Sequence, residues 1–140
     1  MQLNSKSGFT LTEIIVTVAV IGTLAGLTLP KITNQVEKVK SGEGTRILQA
    51  LLDAQRIYEF ENGAYADDLA DLDVEISAPD NFDALTDANI STANPVASIT
   101  RTGDYTLTID TDGTIKCINE VTVGICTRMG CNRGGGTECN

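Results

Sequence analysis

The sequence predicts an α+β fold in which one long amino-terminal helix packs on a small antiparallel β-sheet with a disulfide-tied carboxy terminus. Three observations predict it. An uncharged apolar run covers residues 14–30 and leads into a polar segment with helical periodicity. Alternating strand patterns separated by turn residues follow in the second half. All four cysteines lie within the last 24 of the 140 residues.

Residues 9–30 form the first predicted element, a transmembrane helix. As an α-helix, this segment would span about 33 Å, which matches the roughly 30 Å hydrocarbon core of a bilayer. A secretory signal peptide is one alternative, but no small-residue cleavage site follows the apolar core. A plain membrane anchor is another, but it does not explain Glu13, because a carboxylate within a hydrophobic helix is costly unless it is partnered.

The residues around Gly8 suggest one explanation for both the length of the apolar segment and the presence of Glu13. A short basic leader ends in Gly8, Phe9 follows, and Glu13 comes four residues later. This start closely resembles the prepilin signal of type IV pilins and of type II secretion pseudopilins. The resemblance implies that residues 1–8 are a leader, that a membrane aspartyl peptidase cuts between Gly8 and Phe9, and that Phe9 is then methylated. Thr12 departs from the family, where a larger aliphatic residue is usual.

The same resemblance implies an assembly role for Phe9, Glu13, Gly22, Gly26 and Pro30. Glu13 of one subunit can meet the new α-amino group of Phe9 on its neighbour, since pairing removes two unpaired charges from a low-dielectric environment. The alternative is that Glu13 is protonated or reaches the interface. Gly22 and Gly26, four residues apart, allow helices to approach closely. Together with Pro30, where the family commonly bends the helix, they weaken helical structure.

Residues 31–63 predict an amphipathic continuation of the helix. Apolar side chains recur there at helical spacing, and we expect them to dock on the globular half: Ile47, Leu48, Leu51, Leu52 and Tyr58. Gly42 and Gly44 predict a softened or kinked helix near residues 41–45. Gly63 is a natural left-handed cap that ends the helix.

Residues 64–140 predict a globular part made of a loop and an antiparallel sheet. The clearest strands are Tyr105–Asp110 and Thr114–Ile118, joined by a hairpin turn at Asp112-Gly113. Val96–Arg101 is a third strand, and Glu120–Ile125 is a weaker candidate.

The four cysteines are Cys117, Cys126, Cys131 and Cys139. An even number in one short segment predicts two disulfides and an oxidising compartment. Zinc and free thiols are the alternatives, but there is no C-x-x-C pair and no histidine to complete a zinc site. We expect Cys126–Cys131 to close a tight turn and Cys117–Cys139 to tie the tail to the sheet.

Charge and composition argue against nucleic-acid binding and catalysis. The net charge is −9, and residues 59–112 carry thirteen acidic residues against Arg101 alone. Such a body repels phosphates. Without histidine, Ser–His and Cys–His catalytic pairs are excluded, and we expect neither enzymatic activity nor a cofactor.

The resemblance suggests calcium binding as a minor alternative, because major pseudopilins hold a calcium ion in a loop, although no spacing here matches a calcium loop. The candidate ligands are Asp80, Asp83, Asp87, Asp110 and Asp112.

The resemblance therefore implies a structural subunit of a type IV pilus. Its partners are copies of itself in a homo-oligomeric filament, the prepilin peptidase and the pilus assembly machinery. Before assembly, a single pass holds it in the inner membrane with its body outside the cytoplasm; afterwards it is part of an extracellular pilus. The carboxy-terminal disulfides favour a pilin over the alternative, a pseudopilin of a type II secretion system. A membrane-tethered extracytoplasmic binding domain is the remote alternative.

Overall fold

One long helix makes up most of the amino-terminal half. The computed structural model describes the backbone of residues 8–131 and 137–139, and the side chains of these residues except 27–34 and 137–138. Helix α1 covers Leu11–Asn62, and Gly63 ends it with a left-handed φ of 78°. The residue contacts divide the chain into two units, Met1–Thr33 and Asn34–Asn140. Across the described residues, no helix is both long enough and apolar enough to cross a membrane.

The second unit contains an antiparallel sheet with strands in the order β1-β2-β3-β4. The strands are β1 Ala97–Arg101, β2 Tyr105–Ile109, β3 Ile115–Ile118 and β4 Thr137–Glu138. Each strand pairs antiparallel with the next, for example Leu107 of β2 opposite Cys117 of β3. The predicted α+β fold is confirmed, and the three clearer predicted strands lie within a residue of the observed ones.

The predicted turn at Asp112-Gly113 joins β2 to β3. Gly113 adopts a φ of 89°, which the absence of a Cβ permits. The Asp110 amide donates to the Thr114 carbonyl over 3.0 Å. The Thr114 amide donates to the Asp112 carboxylate over 2.8 Å, and this hydrogen bond lowers the pKa of Asp112.

The predicted strand at Glu120–Ile125 is wrong, because the chain there forms a loop followed by a short helix, α2, Ile125–Met129. Asn119 and Gly124 both have positive φ, 55° and 86°, and left-handed residues interrupt an extended ladder. The Glu120 carboxylate accepts hydrogen bonds from the amides of Gly124 (3.2 Å) and Cys126 (3.3 Å). An acidic side chain at a helix amino terminus thus replaces strand pairing.

The core lies between α1 and the sheet. Leu48, Leu51 and Leu52, from the predicted apolar stripe, are buried, while Ile47 and Tyr58 are partly buried against the core. The sheet contributes Ile99, Leu107 and Ile109, which are also buried. Burial of such side chains is the main favourable contribution to folding of this unit.

Gly44 permits close packing where the sequence predicts a softened or kinked helix. Helix α1 passes through residues 41–45 without a break. A Cβ on Gly44 would lie 2.6 Å from Cζ of Phe82 and 3.0 Å from Cδ1 of Leu107. The glycine therefore lets the Phe82 ring approach the helix backbone. Phe82 in turn meets Tyr105 edge-on, with ring centroids 5.9 Å apart.

Candidate functional site

The Gly8–Phe9 peptide bond lies just before α1 and is accessible. Both residues are exposed, and the Phe9 side chain is 80% exposed. Among the described residues, no atom lies within 4 Å of the position that a Cβ on Gly8 would occupy. A peptidase could therefore reach this bond without unfolding a packed element.

Thr10 caps the helix that begins after the predicted cleavage point. The Glu13 amide donates to the Thr10 carbonyl (3.1 Å) and to Thr10 Oγ1 (3.2 Å). The Thr-x-x-Glu spacing is that of a capping box, and Glu13 lies in the first turn, where the helix dipole favours a negative charge. Thr10 was not among the residues predicted to have a role, although the Thr-x-x-Glu spacing is a recognisable sequence signal.

The first unit exposes apolar side chains on every face of its helix. The exposed residues are Phe9, Leu11, Ile14, Ile15, Val16, Val18, Val20, Ile21 and Leu24. The Thr17 hydroxyl donates to the Ile14 carbonyl (2.8 Å) and the Thr23 hydroxyl to the Val20 carbonyl (2.9 Å), so both are satisfied within the helix. A helix that is apolar all round is typical of one that is buried in a larger assembly or in lipid.

Glu13 is the acidic exception on this surface. It is exposed, and it takes part in none of the ion pairs found among the described residues. Gly22 and Gly26 lie in the same helix, with open space around the position of a missing Cβ. Pro30 is within the bounds of α1, but its side chain lies outside the described residues. Among the described residues, Glu13 has no ion-pair partner and the Cβ positions of Gly22 and Gly26 meet no neighbouring atom.

The four cysteines form two disulfides, as predicted, but the pairing is different. The bonds are Cys117–Cys126 and Cys131–Cys139, with Cα atoms 5.7 Å and 4.0 Å apart. The predicted pairs Cys126–Cys131 and Cys117–Cys139 are therefore wrong.

The reason for the different pairing lies in α2. The chain does turn tightly between Cys126 and Cys131, but a hydrogen bond from the Cys131 amide to the Cys126 carbonyl (2.9 Å) closes that turn, with Gly130 in the left-handed conformation. The buried Cys126 is thereby free to join α2 to Cys117 on β3. Beyond β4, Cys139 pairs with Cys131 across an isolated antiparallel bridge.

The acidic residues considered as calcium ligands do not gather around one point. Within the described part of the chain, no three or more acidic or cysteine side chains are grouped as a metal site would require. Several are engaged elsewhere: Asp83 accepts from the Thr102 hydroxyl (2.7 Å), Asp110 pairs with Lys116, and Asp87 accepts from the Leu69 amide (3.0 Å).

Two polar side chains of α1 hold the segment that follows the helix, and neither was predicted from sequence to have a role. Glu43 accepts from the Asp80 amide (2.6 Å) and from the amide and side chain of Asn81 (3.1 and 2.7 Å). The side-chain hydrogen bond from Asn81 is the main cause that lowers the pKa of Glu43. Gln55 is fully buried and bonds the backbone of Ala66. A polar residue on the buried face of a helix is the signal that could have identified Gln55.

Comparison with known proteins agrees with the amino-terminal geometry. Residues 3–29 match the prokaryotic N-terminal methylation motif. Over 79 residues the chain is 32% identical to the type II secretion system core protein G of Aeromonas hydrophila, an alignment that covers 56% of this chain and 55% of the relative. The protein of the same name from Pseudomonas aeruginosa is 32% identical over 79 residues, 56% of each chain. That from Vibrio cholerae is 28% identical over 80 residues, 57% of this chain and 55% of the relative.

These matches have a limited extent, because the chain aligns with only about half the length of the curated relatives. No solved structure matches the chain. The chain carries the prepilin-type amino-terminal motif, and each of these relatives is named a core protein of the type II secretion system. Their names describe a component of a secretion system rather than an enzyme, in agreement with the prediction that this chain is not an enzyme.

Proposed function

We propose that this chain, which carries the amino-terminal motif of the type IV pilin and pseudopilin family, is a pseudopilin-like subunit of a type II secretion system. In this proposal residues 1–8 are removed, Phe9 is methylated, and the remaining chain assembles with copies of itself. The relatives support this alternative over the pilus subunit expected from the sequence. The disulfides do not favour a pilus, because they fasten a tail to β3, a role that either kind of subunit can need.

The observation that carries the proposal is the first unit of the chain. An accessible Gly8–Phe9 bond precedes a capped helix with Glu13 in its first turn and exposed apolar side chains all round. Nothing in the described part of the chain covers that apolar surface, so water would have to solvate it in an isolated subunit. Lipid before assembly and neighbouring helices afterwards would each remove this cost, and residues 9–30 would serve as the inner-membrane anchor.

Glu13 and the Phe9 amine supply register between copies in this proposal. Cleavage creates a positive charge at Phe9, and Glu13 holds a negative one without an ion-pair partner among the described residues. Bringing the two together between neighbouring subunits neutralises both in a dry environment. Gly22 and Gly26, whose Cβ positions are open, would let adjacent helices approach, and Pro30 would bend the helix beyond them.

The first test replaces Glu13 by glutamine in the full chain, which removes the charge and keeps the shape. We expect at least a hundredfold loss of assembled subunit, because breaking a buried pair costs about 3 kcal/mol or more at each addition step. Processing and the melting temperature of the second unit should not change, since Glu13 lies in the first unit. Glu75→Gln makes the same chemical change on an exposed body residue and should assemble normally. Normal assembly of Glu13→Gln would refute the pairing.

A type IV pilus subunit is the second candidate, since the amino-terminal motif is shared by both kinds of protein. Deleting the gene separates the two: a pseudopilin is needed for release of secreted proteins, whereas a pilin is needed for surface filaments that shear off in quantity. Loss of secretion without loss of surface filaments supports the present proposal. Loss of filaments with normal secretion would favour the pilus. A tethered binding domain would remain with the membrane in both assays.

A further inference from the structure

Residues 73–79 form an extended segment that pairs with no strand of the described sheet. The chain passes through them without a turn or a bend. Burial alternates as in a β-strand: Leu72 is buried, Val74 and Ile76 are half-buried, and the residues between these are exposed. The backbone amides and carbonyls of residues 75–78 nevertheless take part in none of the hydrogen bonds found among the described residues. We call residues 75–78 the open strand.

Side chains of α1 hold the chain on both sides of the open strand. Before it, the side-chain amide of Gln55 makes two hydrogen bonds with the backbone of Ala66. After it, the Glu43 carboxylate accepts hydrogen bonds from the amides of Asp80 and Asn81. The chain therefore returns along α1 from the level of Gln55 towards that of Glu43. Because both ends are fixed, the open strand is in place before any partner binds, which lowers the entropic cost of binding.

A groove of about 910 Å³ lies between the open strand and α1. On the α1 side it is lined by the apolar side chains of Val39, Ile47 and Ala50. Gly42 lies among them, and a Cβ on Gly42 would meet no atom of the described residues within 4 Å. This glycine leaves room for another chain to approach the helix backbone. The groove thus combines an apolar floor with unpaired backbone groups, as sheet edges that bind extended peptides do.

The two walls of the groove differ in charge. Lys38 and Arg46 line the α1 wall; both are exposed, and neither takes part in the ion pairs found among the described residues. Glu43, between them, is engaged by backbone amides. Glu75 and Asp80 line the opposite wall and are exposed. Since Lys38 and Arg46 are eight residues apart in α1, they lie about 12 Å apart along the helix axis.

We propose that the groove binds an extended, acidic segment of a different protein by strand addition. The backbone of that segment pairs with the open strand. Two of its carboxylates, four residues apart, meet Lys38 and Arg46, because an extended chain advances about 13 Å over four residues, close to the spacing of the two cations. Small side chains between the carboxylates fit over Gly42. Further acids are disfavoured beside Glu75 and Asp80, since like charges opposite each other repel.

A second copy of this chain does not provide such a segment. Acidic residues four positions apart occur at three places in the sequence: 67 and 71, 71 and 75, and 83 and 87. Leu69–Asp71 and Asp87–Asn89 are short 3-10 helices rather than extended chain, and Glu75 belongs to the open strand itself. Asp83 and Asp87 also accept hydrogen bonds within the fold. The inference therefore concerns a partner of another kind, and it goes beyond the assembly in the proposed function.

Binding of synthetic peptides to the full chain in detergent tests the spacing of the carboxylates. The probe is a fluorescent peptide whose central five residues are aspartate, alanine, valine, alanine and aspartate. We expect saturable binding, measured as a rise in fluorescence anisotropy. A peptide of the same composition with adjacent aspartates should bind about fivefold more weakly, because it meets one cation instead of two. Equal binding of the two peptides, or no binding of the first, would overturn the proposal.

Methylation of two backbone nitrogens in the probe tests strand addition separately from charge. It removes two hydrogen-bond donors and keeps both aspartates, so binding should weaken by about tenfold or more. Unchanged binding of the methylated probe would show that its backbone does not pair with the open strand.

Gly42→Leu fills the groove without disturbing the core. A Cβ there meets open space, and leucine has the higher helix propensity, so the melting temperature of the second unit should not fall. Saturable binding of the probe should be lost. Gln49→Leu is the matched control, because it puts the same side chain on an exposed site of α1 outside the groove, and it should bind the probe as the wild type does. Full binding by Gly42→Leu would contradict the site.

Arg46→Gln tests the charge of the α1 wall. We expect about fivefold weaker binding of the probe, the upper range for one exposed ion pair. Arg128→Gln removes the same charge from an exposed position that does not line the groove and should leave binding unchanged. Equal effects of the two substitutions would mean that only the net charge of the chain matters, and would count against the site.

A photoreactive phenylalanine analogue in place of Val39 identifies the occupant in cells, since Val39 lines the groove and is 77% exposed. We expect a crosslink to a different protein, within a segment that carries two acids four residues apart. A crosslink to a second copy of this chain, or to a segment without that pair, would overturn the contact. Either result leaves the proposed function in place, because cleavage before Phe9 and assembly are measured separately.

Discussion

The side-chain amide of Gln55 makes two hydrogen bonds with the backbone of Ala66. Its Nε2 donates to the Ala66 carbonyl over 2.9 Å, and the Ala66 amide donates to its Oε1 over 2.8 Å. Gln55 is fully buried on α1, and both polar atoms of its side-chain amide find their partners in the backbone of Ala66, just after the helix ends. This contact fixes where the segment that leaves the helix returns to it.

Gln55→Ala should destabilise the second unit by about 2–3 kcal/mol, because it leaves a buried amide and a buried carbonyl without partners. Thermal unfolding of the full chain in detergent measures this. Gln49→Ala removes the same side chain from an exposed position of the same helix and should change the unfolding free energy by no more than about 0.5 kcal/mol. Equal effects of the two substitutions would contradict the role of the Ala66 hydrogen bonds.

Alanine substitutions at Gly42 and Gly44 in α1 should change the stability of the second unit in opposite directions. At Gly44 a Cβ would lie 2.6 Å from the Phe82 ring, and we expect destabilisation by about 1–3 kcal/mol from overpacking. At Gly42 the same atom meets open space, so the higher helix propensity of alanine should stabilise by about 0.5–1 kcal/mol. Chemical denaturation of both variants measures the difference. A stabilising Gly44→Ala would show that Phe82 does not pack against the helix as described.

Glu43 should make stability depend on pH in the acid range. Hydrogen bonds from Asn81 and Asp80 lower the pKa of Glu43 in the folded chain below 4.5. The stabilisation is therefore fully present above pH 4.5 and is lost as the pH falls through the lower folded pKa. We expect this part of the unfolding free energy to be about 1 kcal/mol, since the group is partly solvated. Glu43→Gln should flatten the pH dependence by that amount, and an unchanged pH dependence in this variant would contradict the role of the Asn81 and Asp80 hydrogen bonds.

The fold and the amino-terminal motif could be predicted from sequence because both depend on local patterns. The leader, Phe9 and Glu13 are separated by fixed spacings, and the hairpin at Asp112-Gly113 needs only turn residues between two alternating runs. Helix α1 is long because apolar residues continue at helical spacing across its length. None of these inferences requires knowledge of which distant residues meet.

The wrong predictions concern features that depend on contacts between different elements of the fold. Disulfide pairing depends on where α2 places Cys126 relative to β3, and four cysteines allow three pairings that spacing cannot rank. The role of Gly44 depends on Phe82, which lies far along the chain, so helix propensity alone suggested a kink. The Val121–Val123 alternation resembled a strand, but the hydrogen bonds of Glu120 favour the loop.

Both candidate functions rest on one chemical event, cleavage between Gly8 and Phe9, and the intact mass of the assembled subunit tests that event most directly. The wild-type subunit should lack residues 1–8, begin at Phe9 and carry one additional methyl group. Gly8→Val, which puts a branched side chain at the cleaved bond, should instead give the full-length mass, held in the membrane and unassembled. An assembled wild-type subunit that begins at any residue other than Phe9 would contradict the account.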